Sequence, residues 1–594
     1  MVEVTRKDLW GFLLVLGTAT TLFGYQALRG DQASRLFHVL AQVDPTLYRN
    51  DWYVQAYKGM NPHAPYFNTL GAMIEAVGLS NALQLAYLIF MSVLFIGSVL
   101  LYRALRPQDS EWAGWLAAIA VIFCHTGDLG TNPIFESQFK PRQFANALAL
   151  LSFALLMKRP FRASQALGAG VFVTLALLAH IGVGILVVGF FGLVVAWWMF
   201  QGSVSKRDGA IFLLLDAAAL LTRLPYLLRV DSRLSSTPDQ IALVKQFYIF
   251  THMGHFYPPS WPVEVWLGAL ALVLFALGCR DKIDLQVRRP LRSAGIIVGL
   301  LLTLGLVFSS VLFVYKIVLA QPFRLTTVTR AVLSVVLSIR LVSLWGEEKA
   351  TMGKPRALFL LASLTNDWAF VVASVSELVG ARLPRSHALL PWFSALAVTV
   401  WIEPKTGALQ LIALALGLLI QLLKPSEKVL PLVALLSLSL PLTLFLAQRI
   451  NPDAPWVKSM AVRWLFMESP GIGVEPIALW ARQNTDPDAV FLTPPGVAGF
   501  RLWSRRAVVL DFTTPPLSAP EIRVYKSRRS ELLKYLASHP QADIGNLYQT
   551  LTAEELLDYA TRYGATHIVT GRALSHPRLK FLKEAGGFYL YETG

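Results

Sequence analysis

The chain has 594 residues, of which 55% are hydrophobic and only 15% are charged. A soluble globular protein usually carries about 25% charged residues, so this composition excludes an ordinary soluble enzyme as well as a disordered or fibrous protein. Two cysteines exclude a disulfide scaffold and a metal site built from cysteines. The net charge of +16 is typical of a membrane protein whose cytoplasmic loops carry excess lysine and arginine, and we expect no nucleic-acid partner.

Apolar runs recur from the N-terminus to about residue 448, and each approaches the ~20 residues that a membrane-spanning helix requires. The polar residues at 366–368 predict that one of these runs is broken or re-entrant. The runs predict a mainly α-helical, polytopic transmembrane bundle of about 13 to 14 spans. They are 9–23, 82–101, 112–123, 144–157, 165–178, 181–200, 210–221, 265–277, 294–314, 331–344, 357–379, 389–402, 408–422 and 429–446.

Lysine and arginine residues predict the orientation of the bundle. Arg6 and Lys7 precede the first run, and further basic clusters fall in every second connection. Because cytoplasmic loops carry the basic excess, we expect an integral protein of the bacterial inner membrane with a cytoplasmic N-terminus. The opposite connections are longer, at about 27–67, 125–142 and 229–264. Long loops in a compact body are usually functional, so we expect the chemistry on the outer side.

The composition changes after residue 448, and this divides the chain into a transmembrane body at 1–448 and a soluble domain at 449–594. Alternating short strands and helices predict a small C-terminal α/β domain. Pro494, Pro495 and Gly496 follow its first strand instead of a glycine-rich phosphate-binding pattern, so we expect no Rossmann cofactor site. The predicted elements are strands at 489–493, 507–511, 567–570 and 588–591, and helices at 477–483, 527–538 and 553–563.

The first long outer loop contains the carboxylates Asp31, Asp44 and Asp51. A carboxylate near the membrane surface can act as a general base, which takes the proton of a sugar hydroxyl while a phosphate leaves. Asp31, directly beyond the first apolar run, and Asp51 are therefore candidate catalytic residues. The alternative is that these acidic side chains are merely solvated.

The second long loop, GDLGTNPIFESQFKPRQFANALALL, combines acidic and basic residues. Glu136 and Lys140 are four residues apart and share a face if this stretch is helical. Pro141 suits the first turn of the following helix, which places Arg142 at the membrane surface. A lysine, an arginine and a helix N-terminus together form a phosphate-binding site. The alternative is a pair of interfacial basic side chains that extend toward water.

Two more ionisable residues lie near the outer ends of apolar runs. His180 stands in LLAHIGVGIL, a tight turn between two runs, and Arg324 stands in AQPFRLTTVTR. Ionisable residues at membrane depth are candidate functional residues. We assign both to substrate binding, and the alternative for Arg324 is that it only holds its loop.

Together these residues resemble the GT-C superfamily of polytopic glycosyltransferases. Asp31, followed by Gln32 and Arg35, is similar to the acidic position just after the first span, where many members have Asp-Glu. Glu136 is similar to the acidic residue of the next outer loop, and LLAHIGVG to a recurrent segment. The stretch from 480 to 512 resembles the tail domain of bacterial GT-C-like membrane proteins.

The resemblance implies that a sugar moves from a polyprenyl-phosphate donor in the membrane lipid to an extracytoplasmic acceptor. Asp31 would act as the base or position the acceptor, with assistance from Glu136. No cofactor is expected: the resemblance implies a transfer that is metal-independent or only weakly assisted by a divalent cation, and Gln32 in place of a carboxylate argues against a bound metal. The tail domain would lie on the outer face. The phosphate and the charge on the leaving group would be held by Lys140, Arg142 and Arg324.

Two other functions remain open. A non-catalytic scaffold subunit of a larger membrane complex, with membrane protein partners, would fit the altered acidic motif, since a fold does not determine a function. A lipid or solute transporter would use charges at the membrane midplane and an inverted repeat, and the sequence has no clear repeat. A pocket with Asp31 pointing into it would favour the enzyme, whereas a filled pocket would favour the subunit.

Overall fold

The computed structural model describes residues 5–57, 63–234, 237–239, 241–243, 246, 253–312, 314–346, 352–380, 390–423, 429–452, 454–466, 473–513, 516, 519–542 and 546–594. It is mainly α-helical, as predicted, and a large helical bundle is followed by a small domain with a five-stranded sheet. The length and apolar composition of its helices are those of an integral membrane protein.

Twenty helices and one short strand form the described part of the bundle and its connections. They are α1 Arg6–Phe23, β1 Tyr25–Gln26, α2 Leu36–Val43, α3 Trp52–Ala56, α4 Ala64–Val77, α5 Leu79–Leu105, α6 Glu111–Phe123, α7 Pro141–Met157, α8 Ala163–Ala179, α9 Ile181–Phe200, α10 Lys206–Leu234, α11 Met253–Phe256, α12 Val263–Gly278, α13 Leu285–Leu306, α14 Tyr315–Ala320, α15 Leu325–Gly346, α16 Gly353–Ser363, α17 Asp367–Gly380, α18 Leu390–Ile402, α19 Pro404–Leu423 and α20 Leu430–Ile450.

Among the described residues, seven helices meet the length and composition of a membrane span, fewer than the 13 to 14 apolar runs that the sequence contains. Four further helices are apolar but shorter. The seven are Leu79–Leu105, Ile181–Phe200, Lys206–Leu228, Leu285–Val311, Lys316–Gly346, Pro404–Leu422 and Pro431–Ile450.

The apolar run with polar residues at 366–368 is broken, as predicted. Helix α16 ends at Ser363 and α17 begins at Asp367. The carbonyl of Leu364, between them, accepts the backbone N–H groups of His125 at 2.9 Å and of Thr126 at 3.1 Å. The second long loop therefore satisfies a backbone group that the break exposes.

The two ends of the bundle differ in chemistry. We call the end that carries residues 24–57, 63–77 and 124–140 the loop face. The opposite end, called the basic face, carries the basic connections: Arg103 contacts Asp8 at the start of α1 at 2.7 Å, and the ammonium of Lys282 contacts Ser343 at 2.8 Å. The alternation of basic and long connections along the sequence therefore corresponds to two ends of one bundle.

The described part of the tail domain has the four predicted strands and three predicted helices, with two further strands and three further short helices. Its sheet has the order β4-β3-β5-β7-β6, in which β3 is parallel to both β4 and β5, and β7 is antiparallel to both of its neighbours. The elements are α21 Pro455–Met460, β2 Trp464–Leu465, α22 Glu475–Asn484, β3 Val490–Leu492, α23 Phe500–Ser504, β4 Ala507–Val508, α24 Ala519–Leu533, α25 Leu547–Thr550, α26 Ala553–Arg562, β5 His567–Thr570, β6 Leu579–Ala585 and β7 Phe588–Thr593.

The tail domain packs on the loop face. Strand β1, directly after α1, pairs in parallel with β2. Deeper in the contact, the guanidinium of Arg501 lies 2.8 Å from Asp51 of the first loop and 3.1 Å from Asp511, and also stacks over Phe37 at 4.9 Å. Asp51 is completely buried and Arg501 is 2% exposed. These buried charges fix the tail domain to the first loop.

Replacing Arg501 by Ala should lower the free energy of unfolding by about 3–5 kcal/mol, because two carboxylates lose their buried partner. Arg562→Ala is the matched control, since Arg562 is 47% exposed where it pairs with Glu531, and it should change stability by less than about 1 kcal/mol. Titration of the purified protein with a denaturing detergent measures both. Equal effects of the two variants would contradict a stabilising role for the buried charges.

Candidate functional site

The first and second loops are joined on the loop face by Gln32. Its side-chain oxygen accepts the backbone N–H of Leu28 at 2.8 Å, and its amide nitrogen donates to the carbonyl of Phe139 at 2.8 Å. Gly30, in the first loop between Leu28 and Gln32, has a φ of 51°. A Cβ on Gly30 would lie 2.8 Å from the side-chain amide nitrogen of Gln138 in the second loop. This close approach of the two loops places Asp31 beside the second loop.

A cluster of two carboxylates and two cations results. The ammonium of Lys140 lies 2.9 Å from an oxygen of Asp31 and also contacts Glu136. The guanidinium of Arg142 lies 2.6 Å from Glu136 and 3.9 Å from Asp31. The stretch that contains Glu136 is not helical, so the fold of the loop, and not a helix face, brings Glu136 to Lys140. Pro141 begins α7, as predicted.

Asp31 is the accessible member of this cluster. Its side chain is 48% exposed, whereas that of Lys140 is 8% exposed. Burial raises the pKa of the Asp31 carboxyl, but Lys140, Arg142 and Arg35 lower it by more, and the resulting pKa is about 2. Asp31 is therefore ionised at neutral pH and is open to a molecule that enters from solvent.

His180 and Arg324 lie on the other side of the same cleft. His180 ends α8 and caps α9, since its Nδ1 accepts the backbone N–H of Val183 at 3.2 Å. A Cβ on Gly182 would lie 2.6 Å from a guanidinium nitrogen of Arg324, so a larger residue there would displace the end of the arginine side chain. The Nε of Arg324 is shielded from solvent and has no hydrogen-bond partner within the described part of the chain.

The cleft lies at the end of the helical bundle, and the space within it, including the part that is open solvent, is about 520 Å³. Four cations and two carboxylates belong to it, so it carries an excess of two positive charges. Aromatic and apolar side chains, among them Tyr66, Phe67 and Phe139, complete the lining. Its charged members are Asp31, Glu136, Arg35, Lys140, Arg142 and Arg324.

The structure thus brings together six of the seven residues that the sequence nominated. Asp51 is the exception, because it is buried against Arg501 and its two oxygens accept backbone N–H groups of Tyr53, Val54 and Val508. A carboxylate without solvent access cannot take a proton from an acceptor. The nomination of Asp51 as catalytic is therefore replaced by a structural role at the contact with the tail domain.

Three residues of the site were not nominated. Arg35 lies four residues after Asp31, and its guanidinium is 3.3 Å from Nε2 of His63. The ring of His63 lies 4.7 Å from that of His180, between centroids. The spacing of four residues between Asp31 and Arg35 could have indicated that Arg35 belongs to the site. Nothing around His63 in the sequence indicated that it lies near the cleft. Gln32 was noted only as the replacement of an acidic residue, and its function as a link between loops depends on the fold.

The residues of the cleft do not form a typical metal site. Among the described residues, no three His, Cys, Asp or Glu side chains are grouped so as to hold a metal ion. Gln32 uses both atoms of its amide within the protein. The ammonium of Lys140 lies between Asp31 and Glu136, in the space that a cation bound by both carboxylates would need.

Comparison with known proteins gives the following similarities. The family model "Domain of unknown function (DUF6798)" matches residues 473–532, and no curated protein sequence matches the chain. ArnT from Cupriavidus metallidurans, solved bound to undecaprenyl phosphate, is 12% identical over 98% of this chain and 97% of its own, with a TM-score of 0.46. An oligosaccharyltransferase from Archaeoglobus fulgidus, solved with zinc and sulfate, is 11% identical over 95% of this chain and 67% of its own, with a TM-score of 0.38.

Replacing Gln32 by Glu should destabilise the protein, because a carboxylate cannot donate to the carbonyl of Phe139 and adds negative charge beside Asp31. We expect a loss of about 1–3 kcal/mol in the free energy of unfolding at neutral pH. Gln42→Glu makes the same chemical change at an exposed position of α2 and should be close to neutral. Thermal unfolding in detergent compares them, and a Gln32→Glu protein as stable as the control would refute the link between the loops.

Proposed function

We propose that the chain is a membrane glycosyltransferase that moves a sugar from a polyprenyl-phosphate donor to an acceptor at the loop face. The observation that carries this proposal is the accessible, ionised carboxylate of Asp31 in a cleft with an excess of positive charge at the end of a membrane bundle. A base for the acceptor and cations for a phosphate are the two groups that the reaction needs.

The positive charges suit the leaving group better than the donor. A polyprenyl-phosphate sugar is a phosphodiester with one negative charge, and the phosphate monoester that leaves carries nearly two at neutral pH. An excess of two positive charges in the cleft therefore stabilises the charge that develops as the bond to the sugar breaks. Lys140 and Arg142 are held in place for this by Glu136, which contacts both.

Asp31 acts on the acceptor. As the oxygen of the acceptor hydroxyl bonds to the anomeric carbon, the bond from that carbon to the phosphate oxygen breaks, and the hydroxyl proton passes to Asp31. A pKa of about 2 makes Asp31 a weak base in the empty cleft. A bound phosphate neutralises part of the charge of Lys140 and Arg142, which raises the pKa of Asp31 and makes it a better base when the donor is present.

The topology follows from the same proposal. We place the loop face outside a bacterial inner membrane and the basic face and the N-terminus in the cytoplasm, in agreement with the distribution of lysine and arginine. We also propose that the chain divides near residue 448 into the membrane body and the tail domain. The tail domain, packed on the first loop through Arg501 and Asp51, then borders the space through which an acceptor approaches.

A scaffold subunit is the second candidate function. One observation favours it: Gln32, which stands where many GT-C enzymes have an acidic residue, serves here as a structural link between loops. The open cleft with Asp31 at its surface favours the enzyme. Activity measurements separate the two candidates.

Asp31→Asn should lower sugar transfer by about 10²–10⁴-fold, the contribution of a general base. Purified protein is assayed with a panel of radiolabelled polyprenyl-phosphate sugars and with lipid and protein acceptors. Asp44→Asn is the matched control, because Asp44 lies in the same loop and its carboxylate accepts hydrogen bonds only from Thr46 in the described structure; it should keep activity close to that of the wild type. Transfer by the wild type that survives in Asp31→Asn refutes the assigned base, and a folded wild type without transfer favours the scaffold subunit.

The pH dependence of kcat/KM should change when Lys140 is replaced by Gln. In the wild type the pKa of Asp31 is about 2, so this carboxyl is ionised and causes no loss of activity between about pH 4 and pH 8. Without Lys140 the burial of Asp31 still raises its pKa while one cation no longer lowers it. Protonation then begins at higher pH, and kcat/KM should fall toward acid pH in this range. Parallel profiles of variant and wild type would contradict the assignment.

A further inference from the structure

A second cleft lies on the basic face, at the opposite end of the bundle from Asp31. It lies between the C-terminal ends of α5 and α7 and the start of α13, and the space within it, including the part that is open solvent, is about 770 Å³. The basic side chains of Arg103, Lys158 and Arg159 line it together with apolar side chains such as Leu100 and Leu155. The cleft thus combines positive charge with an apolar wall.

The charges of this cleft are only partly balanced within the protein. Arg103 binds both carboxylate oxygens of Asp8, at 2.7 and 3.1 Å, so its charge is neutralised. Lys158 has no ion-pair partner among the residues that the structure describes. Asp284 lines the cleft as well, and its carboxylate caps α13 by accepting the backbone N–H of Gln286 at 2.8 Å.

Arg159 is held rigidly at the cleft. Its guanidinium lies over the ring of Trp198 at 5.2 Å, and its Nη1 donates to the carbonyl of Leu156 at 2.9 Å. Its Nη2 is shielded from solvent and has no hydrogen-bond partner in the described part of the chain. A shielded donor without an acceptor is unfavourable, and an anion in the cleft would supply one.

We propose that this cleft binds the phosphate of an anionic phospholipid headgroup. Basic pockets between the ends of membrane helices on the cytoplasmic side suit such headgroups. Lys158 and Arg159 supply two positive charges against the one carboxylate of Asp284. The cleft lies at the ends of two helices that are long enough to span the membrane, Leu79–Leu105 and Leu285–Val311, so a bound headgroup would stand at the membrane surface with its acyl chains beside Leu100 and Leu155.

Other basic residues on this face lie outside this cleft and serve only to orient the protein in the membrane. Lys206 and Arg207, at the start of α10 on the same face, are exposed and line no part of this cleft. They carry the same charge without an enclosing cleft or an apolar wall. They therefore provide a matched control for general attraction to an anionic membrane.

The test is lipid binding to the purified full-length protein, measured by native mass spectrometry with dioleoyl-phosphatidylglycerol and dioleoyl-phosphatidylcholine. The wild type should bind phosphatidylglycerol in preference. The double variant Lys158→Gln/Arg159→Gln should lower its affinity for phosphatidylglycerol by about tenfold, and Lys206→Gln/Arg207→Gln should leave it unchanged. Addition of inorganic phosphate at the lipid concentration should not displace the lipid, because phosphate lacks the apolar contacts.

Several results would overturn the proposal. Equal losses in the two double variants would mean general charge attraction, and displacement by inorganic phosphate would mean a free anion site. If the double variant does not fold, Lys158→Gln alone keeps the stacked Arg159, and it should lower the affinity about threefold. An unchanged affinity in a folded Lys158→Gln protein would also refute the site. None of these outcomes depends on sugar transfer at the loop face.

Discussion

The ammonium of Lys140, held between the carboxylates of Asp31 and Glu136, is the interaction on which the loop face depends. Two carboxylates in the same cleft at the edge of a membrane would repel each other, and this repulsion would favour protonation of one of them. Lys140 removes this repulsion, keeps Asp31 ionised and fixes the second loop beside the first. The cations Arg142 and Arg324 line the same cleft.

The first loop is held in place from two sides. Gln32 connects it to the second loop through its amide, and Asp51 connects it to the tail domain through Arg501. Both contacts are buried, and a buried polar group is favourable only when its partner is positioned correctly. The position of Asp31 therefore depends on the bundle and the tail domain together, although Asp31 itself is half exposed.

The membrane confines the polar chemistry to the two ends of the bundle. Within the hydrocarbon region every backbone group must be satisfied by the helix itself, so irregular segments and open clefts occur at the helix ends. On the loop face two carboxylates balance two of the four cations, and an excess of two positive charges remains for a ligand. On the basic face Arg103 is matched by Asp8, whereas Lys158 lies at the cleft without an ion-pair partner among the described residues.

The sequence by itself determined the helical bundle, the break near residues 366–368 and the small α/β tail, because apolar runs, polar interruptions and short alternating strands are local properties. It also nominated most charged residues of the cleft, since ionisable groups near membrane helices are uncommon. Only the tertiary structure decided that Asp51 pairs with Arg501 away from the cleft and that Glu136 meets Lys140 without a helix. Those outcomes depend on how distant loops pack, and spacing along the chain does not encode which buried charges meet.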